Sequence, residues 1–263
     1  MDLGLKGKVA VIMGGTSGVG LKTAEMFLQE GAKVAVCGRN EDRMQKANDH
    51  LLNFANSDFI FASTCDVTNK NEVYQFIDGA AAHFGGIDVL VNAAGQSVMG
   101  YFFDITDEQW EQQIQLKYYA IIYAIRAVYP HLKKQGGGRI ININATLAKE
   151  PERHMIATAA TRAGLLNLSK TLSQEFAPDN ILVNSVSLGV IRTDQWERRR
   201  KLNAPDVDPD EYYGELAKKR NIPIGRVGEP EEVASVILFL ASKQASYVSG
   251  TIIETAGGLG KAL

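Results

Sequence analysis

Short apolar runs alternate with longer amphipathic segments along the whole chain. The short runs are apolar at consecutive positions, which is typical of strands buried on both faces of a sheet. The segments between them carry apolar residues at intervals of three and four, which predicts helices with one buried face. Strands are predicted at 9–12, 33–37, 59–64, 89–91, 139–143, 181–187 and 251–254, and helices at 21–29, 40–54, 69–84, 106–134, 155–176 and 229–240.

The order of these elements predicts one α/β domain over residues 1–263. Strand and helix alternate without a linker, a repeat or a low-complexity segment. We therefore expect a doubly wound, mostly parallel seven-stranded sheet with helices on both faces. The polar stretch at about 189–228 is expected to be irregular. Ligands of such sheets bind at the carboxyl ends of the strands, where the winding reverses, so the loops there and this insert should line the site.

Composition is that of an ordinary globular chain and excludes some partners. Hydrophobic residues make up 45% and charged residues 22% of the 263 residues. The net charge of −2 provides no basic field for nucleic acid. No run approaches the roughly 18 apolar residues of a membrane span, and residues 1–6 contain no apolar signal region. We therefore expect a cytoplasmic protein without a membrane partner.

Two cysteines, Cys37 and Cys65, stand near the ends of the second and third predicted strands, which could be neighbours. In a reducing compartment both are expected to be free buried thiols. Two cysteines without nearby histidines do not make a metal site, so no metal is expected.

A glycine-rich turn at residues 13–20 joins the first predicted strand to the first helix. Gly14 permits a tight exit from the strand, Gly18 lets the backbone approach a ligand, and Gly20 lets the helix pack against the strand. The free N–H groups and the dipole at the helix start favour a phosphate anion. A glycine-rich turn without a ligand is the alternative. The candidate cofactor-binding residues of this turn are Gly14, Thr16, Ser17, Gly18, Val19 and Gly20.

The residues after the second predicted strand indicate which dinucleotide would bind. A ribose-binding acid is expected about 20 residues beyond the glycine turn, but positions 38–40 hold no Asp or Glu. Arg39 instead can face a 2′-phosphate with its planar, permanently charged group, which favours NADP(H) over NAD(H). A solvated arginine at the start of a helix is the alternative.

Two further strand ends complete the candidate nucleotide site. The carboxylate of Asp66 could accept a hydrogen bond from an adenine amine, or could cap a turn with Thr68. The stretch 92–95 consists of small residues that leave room for a flat cofactor, and its asparagine can brace neighbouring backbone. A strand-terminating turn is the alternative there. The cofactor-binding candidates at these strand ends are Asp66, Val67, Asn92, Ala93 and Gly95.

Further motifs follow in an order found in one enzyme family, at 138–143, 181–186, 191–193, 223–234, 249–250 and 257–258. With the segments above, they resemble the short-chain dehydrogenase/reductase family, close to its ketoacyl-reductase-like members, over nearly the whole chain. The resemblance implies a Rossmann-type fold and a homotetramer. It also implies a substrate lid at about 189–228 and cofactor contacts at Gly189, Ile191, Thr193 and Arg162.

The same resemblance assigns four catalytic positions, and all four are changed in this chain. The family uses a tyrosine that gives or takes the proton, a lysine four residues later, a serine 13 residues earlier, and an asparagine in a helix. These positions hold Thr158, Arg162, Ala145 and Lys117, respectively. No tyrosine occurs between Tyr129 and Tyr212, so a small shift of the alignment does not restore the motif.

The changed positions leave few groups that can transfer a proton. A threonine hydroxyl is a much poorer acid than a phenol with a pKa of about 10, so Thr158 does not replace the tyrosine directly. Arg162 keeps a positive charge for a ribose hydroxyl or a phosphate, but it does not serve readily as a base. In a partly desolvated cleft, Lys117 would have a lowered pKa and exchange protons near neutrality. A solvent-facing or subunit-contact position is the alternative for Lys117.

Two nearby residues are further catalytic candidates. Thr146 could polarise a carbonyl group, and His154 precedes Thr158 in the same loop. His154 is flanked by Glu152 and Arg153, so a place on a surface loop is its alternative.

The insert and the long helices suggest further contacts. Residues 198–201 form a basic run, either a solvated helix face or a landing patch for an anionic substrate tail such as a thioester carrier. Trp196 and Leu202 could cover the cleft or pack the insert onto the body. Helices 106–134 and 155–176 carry apolar residues beyond one buried face, which predicts subunit contacts. The candidate contacts are Tyr118, Tyr119, Ile122, Tyr123 and Ile125.

Three functions remain open from the sequence alone. The first is an NADP(H)-dependent carbonyl or alcohol oxidoreductase with a rebuilt proton relay through Lys117, with His154 or Thr146. The second is a non-redox enzyme, such as a lyase or dehydratase. The third is a non-catalytic homologue that binds nucleotide or serves as a partner subunit. The glycine turn, Arg39 and Asn92 indicate that the nucleotide site is used, whereas loss of all four catalytic residues argues against ordinary ketone reduction.

Overall fold

Within residues 2–260, which the computed structural model describes, the chain forms one sheet of seven parallel strands. The strands are β1 (Val9–Met13), β2 (Lys33–Gly38), β3 (Ile60–Thr64), β4 (Val89–Asn92), β5 (Gly138–Ala145), β6 (Ile181–Leu188) and β7 (Ile252–Thr255). Their order across the sheet is β3-β2-β1-β4-β5-β6-β7, so the winding reverses beside β1. The predicted doubly wound α/β fold is confirmed.

Helices cover both faces of this sheet. They are α1 (Gly18–Gln29), α2 (Glu41–Leu51), α3 (Lys70–Phe84), α4 (Asp107–Ile114), α5 (Ala120–Lys134), α6 (Ile156–Glu175), α7 (Asp194–Asn203), α8 (Pro209–Lys219) and α9 (Pro230–Ala241). Side chains of α1, α2 and α9 form one buried core with the sheet, and those of α3, α5 and α6 form the other. Alternate residues of β1 enter the two cores, as the two-residue period of a strand requires.

Helix starts follow polar caps that the sequence carries. The side chain of Asn40 accepts a hydrogen bond from the N–H of Arg43, and Asn69 accepts from the first turn of α3. These helices therefore begin one residue after the predicted bounds, as capping residues lie outside the helix they cap. Thr106, the first residue of the helix predicted over 106–134, caps α4 by accepting a hydrogen bond from the N–H of Gln109.

The long helix predicted over 106–134 contains a break in its hydrogen bonding. Residues Gln115–Tyr119 form a π-helical turn between α4 and α5, in which the N–H of Ala120 donates to the carbonyl of Gln115, five residues earlier. Lys117 lies at the centre of this turn. Such turns are rare in helices and occur often at functional sites.

The stretch 189–228 is not the irregular insert that its polarity predicts, because it contains α7 and α8. α7 is almost entirely polar, so its sequence lacks an apolar stripe. These helices and the loop after them enclose a small buried cluster of their own, formed by Val190, Tyr213, Ala217, Ile222 and Val227.

Two further predictions concern the cysteines and the membrane. Cys37 and Cys65 are both buried and free, as predicted, and they lie on the neighbouring β2 and just after β3. Among the residues that the structure describes, no helix combines the length and the apolar character needed to cross a membrane.

The glycine turn brings β1, α1 and the end of β4 into close contact. Gly14 has a φ of 85°, and a Cβ atom there would lie 2.7 Å from the backbone N of Ala94. A Cβ atom on Gly20 would lie 2.2 Å from the carbonyl oxygen of Gly14. The predicted roles of Gly14 and Gly20 in the tight exit and in helix packing are therefore confirmed.

We expect Gly20→Ala to lower the free energy of unfolding by about 1–3 kcal/mol, because the added methyl group forces α1 away from β1. Gly214→Ala is the matched control. Its Cβ atom would have no neighbour within 4 Å, so in α8 it should stabilise by about 0.5–1 kcal/mol. Urea denaturation of both variants checks this, and equal effects would contradict the packing argument.

Candidate active site

The glycine turn, the end of β2 and the loop after β6 meet at the carboxyl edge of the sheet. α1 begins at Gly18, so the N–H groups of its first turn have no partner within the helix. A Cβ atom on Gly18 would lie 3.3 Å from Thr193 Cγ2, and one on Gly38 would lie 2.5 Å from Thr16 Cγ2. These close approaches bring predicted cofactor residues of three loops together.

The remaining predicted cofactor residues of these loops are partly or fully buried against neighbouring residues. Ser17 precedes α1 and makes no side-chain capping bond, and Val19 is buried. Ile191 is buried and pairs with Gly228 in a short parallel bridge. A Cβ atom on Gly189 would lie 2.9 Å from the Cα atom of Ala256, so only glycine allows the two loops to approach this closely.

Arg39 stands at the end of β2 with an exposed side chain. It lines a recess of about 410 Å³ together with residues 40–42 and Thr64. Within residues 2–260 no carboxylate forms an ion pair with Arg39. Its guanidinium is therefore available to a ligand phosphate at this end of the site.

The polar side chains at the ends of β3 and β4 make hydrogen bonds within the protein. Asp66 Oδ1 accepts hydrogen bonds from the N–H (2.9 Å) and the hydroxyl (2.7 Å) of Thr68, so the capping turn is present. Val67 is buried. Asn92 is buried and donates to Asn142 Oδ1 at 2.8 Å, so its side chain braces a neighbouring side chain and not the backbone. Ala93 donates its N–H to the carbonyl of Met13 at 2.9 Å, which ties the end of β4 to β1.

Arg162 lies where α6 passes the ends of β4 and β5. Its Nη1 atom donates to the carbonyl of Ile143, and a Cβ atom on Gly95 would lie 3.0 Å from its Nη2 atom. The buried Nε atom has no hydrogen-bond partner within the described residues. Burial lowers the pKa of the guanidinium to about 10, so Arg162 is positively charged at neutral pH.

Lys117 points into the protein from the π turn. Only 1% of the residue is exposed, and its Nζ atom donates to Gln113 Oε1 at 2.5 Å and to Thr158 Oγ1 at 3.1 Å. Burial and, to a smaller extent, the charge of Arg162 together lower the pKa of the amine to about 6. In this chain the solvent-facing and subunit-contact alternatives for Lys117 are wrong.

Thr158 links Lys117 to the loop after β4. The residue is 4% exposed, and its hydroxyl makes a long contact of 3.5 Å with the carbonyl of Val98. The amine, the hydroxyl and this carbonyl thus form a short chain of polar groups.

The other two catalytic candidates lie apart from this polar chain. Thr146 is half-buried and opens a single 3₁₀ turn after β5. His154 is half-buried and lies 3.4 Å from Glu152, which also pairs with Arg220 beyond α8. The described hydrogen bonds connect neither residue to Lys117, so their catalytic roles stay predictions.

The basic run 198–201 does not act as one surface. Arg200 is buried and pairs with Glu197 at 2.8 Å, whereas Arg198 and Lys201 are exposed. The half-buried Arg199 donates to Ser97 Oγ at 3.0 Å and stacks 4.8 Å from the ring centre of Trp196.

Side chains of the predicted lid reach the loop after β4. Gln195 also donates to Ser97 Oγ, at 2.6 Å. Trp196 packs into the cluster within the lid, whereas Leu202 is 82% exposed and packs onto nothing described. Sequence reasoning missed Ser97, because a single serine in a loop carries no motif that marks it as a contact of α7.

One of the predicted subunit contacts is wrong. Ile125 is 4% exposed and belongs to the core beneath α5. Tyr119 is 47% exposed, and Tyr118, Ile122 and Tyr123 are half-buried.

The comparison with known proteins identifies the family. The family model described as enoyl-(acyl carrier protein) reductase matches residues 14–260. The chain belongs to the short-chain dehydrogenase/reductase family.

Three relatives show how closely this short-chain dehydrogenase/reductase matches its family. The 3-oxoacyl-[acyl-carrier-protein] reductase FabG of Thermotoga maritima is 34% identical over 97% of this chain and 98% of that protein. The NADPH-bound structure of a short-chain oxidoreductase from Pseudomonas aeruginosa, described as containing an atypical catalytic center, is 38% identical with a TM-score of 0.92, covering 97% of this chain and 98% of that one. L-sorbose reductase from Gluconobacter frateurii, in complex with NADPH and L-sorbose, is 34% identical with a TM-score of 0.93 and covers 100% of both chains.

Within the short-chain dehydrogenase/reductase frame, the two halves of the site differ. The glycine turn keeps the close backbone approaches that a dinucleotide requires. At the catalytic end, Lys117 from the π turn and Thr158 from α6 touch each other. Gln113, which sequence reasoning missed, completes this group.

We expect Lys117→Met to be more stable than the unaltered protein at pH 7. The pKa of this amine is about 6 in the folded protein and near its ordinary value of 10.5 in the unfolded chain. Between these values the unfolded chain holds more protons, so the stability of the unaltered protein rises with pH. The advantage of the variant should therefore shrink as pH rises from 7 to 10, by up to about 1.4 kcal/mol per pH unit.

Urea denaturation at pH 7, 8 and 9 measures this difference. Lys134→Met, at an exposed position of α5, is the matched control and should show no such slope. A difference between Lys117→Met and the unaltered protein that is constant with pH would contradict a depressed pKa at Lys117.

Proposed function

We propose that this protein catalyses NADP(H)-dependent hydride transfer between a carbonyl compound and its alcohol, with Lys117 as the group that gives or takes the proton. The observation that carries this proposal is the hydrogen bond between the buried Lys117 Nζ and Thr158 Oγ1, at the position of the family tyrosine. Carbonyl reduction adds a hydride to carbon and a proton to oxygen. An amine with a pKa of about 6 exchanges protons near neutral pH, which threonine and arginine do not.

Several features support NADP(H) as the cofactor. The glycine turn has no room for side chains at Gly14 and Gly20, which fits a backbone cradle for a diphosphate at the start of α1. Arg39 is exposed at the end of β2, where a 2′-phosphate would lie, and no carboxylate of residues 2–260 pairs with it. The solved structures of two relatives hold NADPH. When bound, the nicotinamide supplies or accepts the hydride.

The protein's own residues would transfer the proton and bind the ribose. In the reductive direction, a proton leaves Lys117 Nζ, passes through the hydroxyl of Thr158 and reaches the substrate oxygen. In the oxidative direction the path is reversed. Arg162 keeps its charge at neutral pH and would hold a ribose hydroxyl. Thr146, near the end of β5, is the hydroxyl proposed to polarise the carbonyl group.

The proposal includes the surroundings of the site. Residues 189–228 of the single domain would act as a lid over a small carbonyl or alcohol substrate. Arg199, which Ser97 holds at the inner side of the lid, would receive an anionic tail of that substrate. Two free buried thiols are consistent with a reducing cytoplasm. Tyr119, exposed on the helix that precedes α5, supports contacts in a homotetramer.

We expect Arg39→Ala to weaken NADPH binding by roughly 10- to 100-fold while leaving NADH binding nearly unchanged, because only NADPH carries the 2′-phosphate. Titration followed by cofactor fluorescence measures both affinities. Arg126→Ala, at an exposed position of α5, is the matched control. Equal losses for both cofactors would contradict a phosphate contact at Arg39.

We expect Lys117→Met to lower turnover by about 10²- to 10⁴-fold with NADPH affinity retained, since the variant removes only the proton donor. A spectrophotometric screen of aldehydes, ketones and oxo acids with NADPH provides the assay. Thr158→Val should lower turnover as well, because it interrupts the path between Nζ and substrate.

Two outcomes of this screen would count against the proposal. If Lys117→Met keeps full turnover, the amine is not the proton donor. If the unaltered protein binds NADPH and reduces no carbonyl compound, the cleft serves non-redox chemistry or binding alone.

A further inference from the structure

Gln113 is the other partner of the buried Lys117 amine. The residue lies in the last turn of α4, is 6% exposed, and accepts a hydrogen bond from Lys117 Nζ at 2.5 Å. Its neighbour Gln112 is exposed. A buried glutamine with a short bond to a buried amine is therefore a specific feature of this helix and not part of a general polar face.

The spacing along the helical segment brings Gln113 and Lys117 together. Gln113 and Lys117 are four residues apart, so they lie on the same side of the helical segment. A neutral amine has two N–H groups and one lone pair. When Gln113 accepts one N–H, the remaining N–H and the lone pair are directed to the other side, where Thr158 Oγ1 lies at 3.1 Å.

The charges that face Lys117 come from few elements. On its own helical segment the facing group is the neutral amide of Gln113. From α6 the hydroxyl of Thr158 and the guanidinium of Arg162 face it, and the Val98 carbonyl of the loop after β4 lies behind Thr158. Within residues 2–260, no carboxylate forms an ion pair with this amine.

We propose that Gln113 is a positioning residue for the proton relay: its neutral acceptor orients the Lys117 amine toward Thr158 without pairing with the charged form. This inference rests on the proposed function, in which Lys117 exchanges the proton. In this role the amide must be uncharged. A carboxylate at the same place would orient the amine equally well but would hold its proton.

The substitution Gln113→Glu separates these two effects. A carboxylate of nearly the same shape would favour the ammonium form and raise the pKa of Lys117 by about one to three units. Reduction needs the protonated amine, so the rate of carbonyl reduction falls as pH rises through this pKa. In the unaltered protein we expect that fall near pH 6, and in Gln113→Glu we expect it one to three pH units higher.

Two further variants test orientation and added charge. Gln113→Met removes the acceptor and should lower kcat at least tenfold. The pH at which the reduction rate falls should stay near 6 or below, and NADPH affinity should not change. Gln112→Glu places the same charge on the exposed neighbour and should leave the profile unchanged. The measurements are pH–rate profiles of kcat and fluorescence titrations with NADPH.

A titration without turnover distinguishes this inference from the proposed function. Protein labelled with ¹³C at lysine Cε is titrated by NMR, and the Lys117 signal is identified by its loss in Lys117→Met. A titration midpoint that moves upward in Gln113→Glu and stays in place in Gln112→Glu supports the inference even if no carbonyl substrate is turned over. A midpoint that does not move in Gln113→Glu overturns it, whether or not the unaltered protein is a reductase.

Discussion

The enclosure of one lysine amine by neutral hydrogen-bond acceptors is the constraint that shapes the catalytic end of this protein. Burying an ammonium group without a carboxylate is strongly unfavourable. Such a site therefore lowers the pKa of the amine and favours its neutral form. Gln113 and Thr158 satisfy the amine, and Arg162 opposes a second positive charge nearby. The π turn at Gln115–Tyr119 presents Lys117 to this enclosure. In the proposed function, this amine takes the proton-transfer role of the tyrosine that the family resemblance assigns to the position of Thr158.

The two ends of the site follow different physical rules. At the nucleotide end, close backbone contacts decide the structure, and only glycine fits at Gly14 and Gly20. At the proposed catalytic end, hydrogen bonds and burial around one amine decide the structure, through Gln113, Thr158 and Arg162.

The sequence predicted the sheet and most helices because apolar periodicity reports burial directly. It missed α7 and α8 because their stability depends on ion pairs and a small local core, as at Arg200 and Tyr213, and not on a continuous apolar stripe. Lys117 was a candidate only through its position in the family motif, since a lysine in a helix is usually exposed. Nothing in the sequence distinguishes Gln113 as buried from its neighbours Gln112 and Gln115. The π turn likewise has no residue signature.

Residues 189–228 make one set of bonds among themselves and another set to the rest of the protein. Arg200 of α7 donates to the carbonyl of Val207 in the loop before α8 at 2.9 Å, and Arg192, just before α7, pairs with Asp210 of α8 at 2.9 Å. The two helices are therefore tied together through the residues beside them. The hydrogen bonds of α7 to the loop after β4, in contrast, converge on the single hydroxyl of Ser97. The ion pair between Arg220 and Glu152 adds a second tie, from the end of α8 to the loop after β5. A movement of α7 and α8 away from the sheet would break the contacts to Ser97 and Glu152, whereas the bonds within the segment could persist.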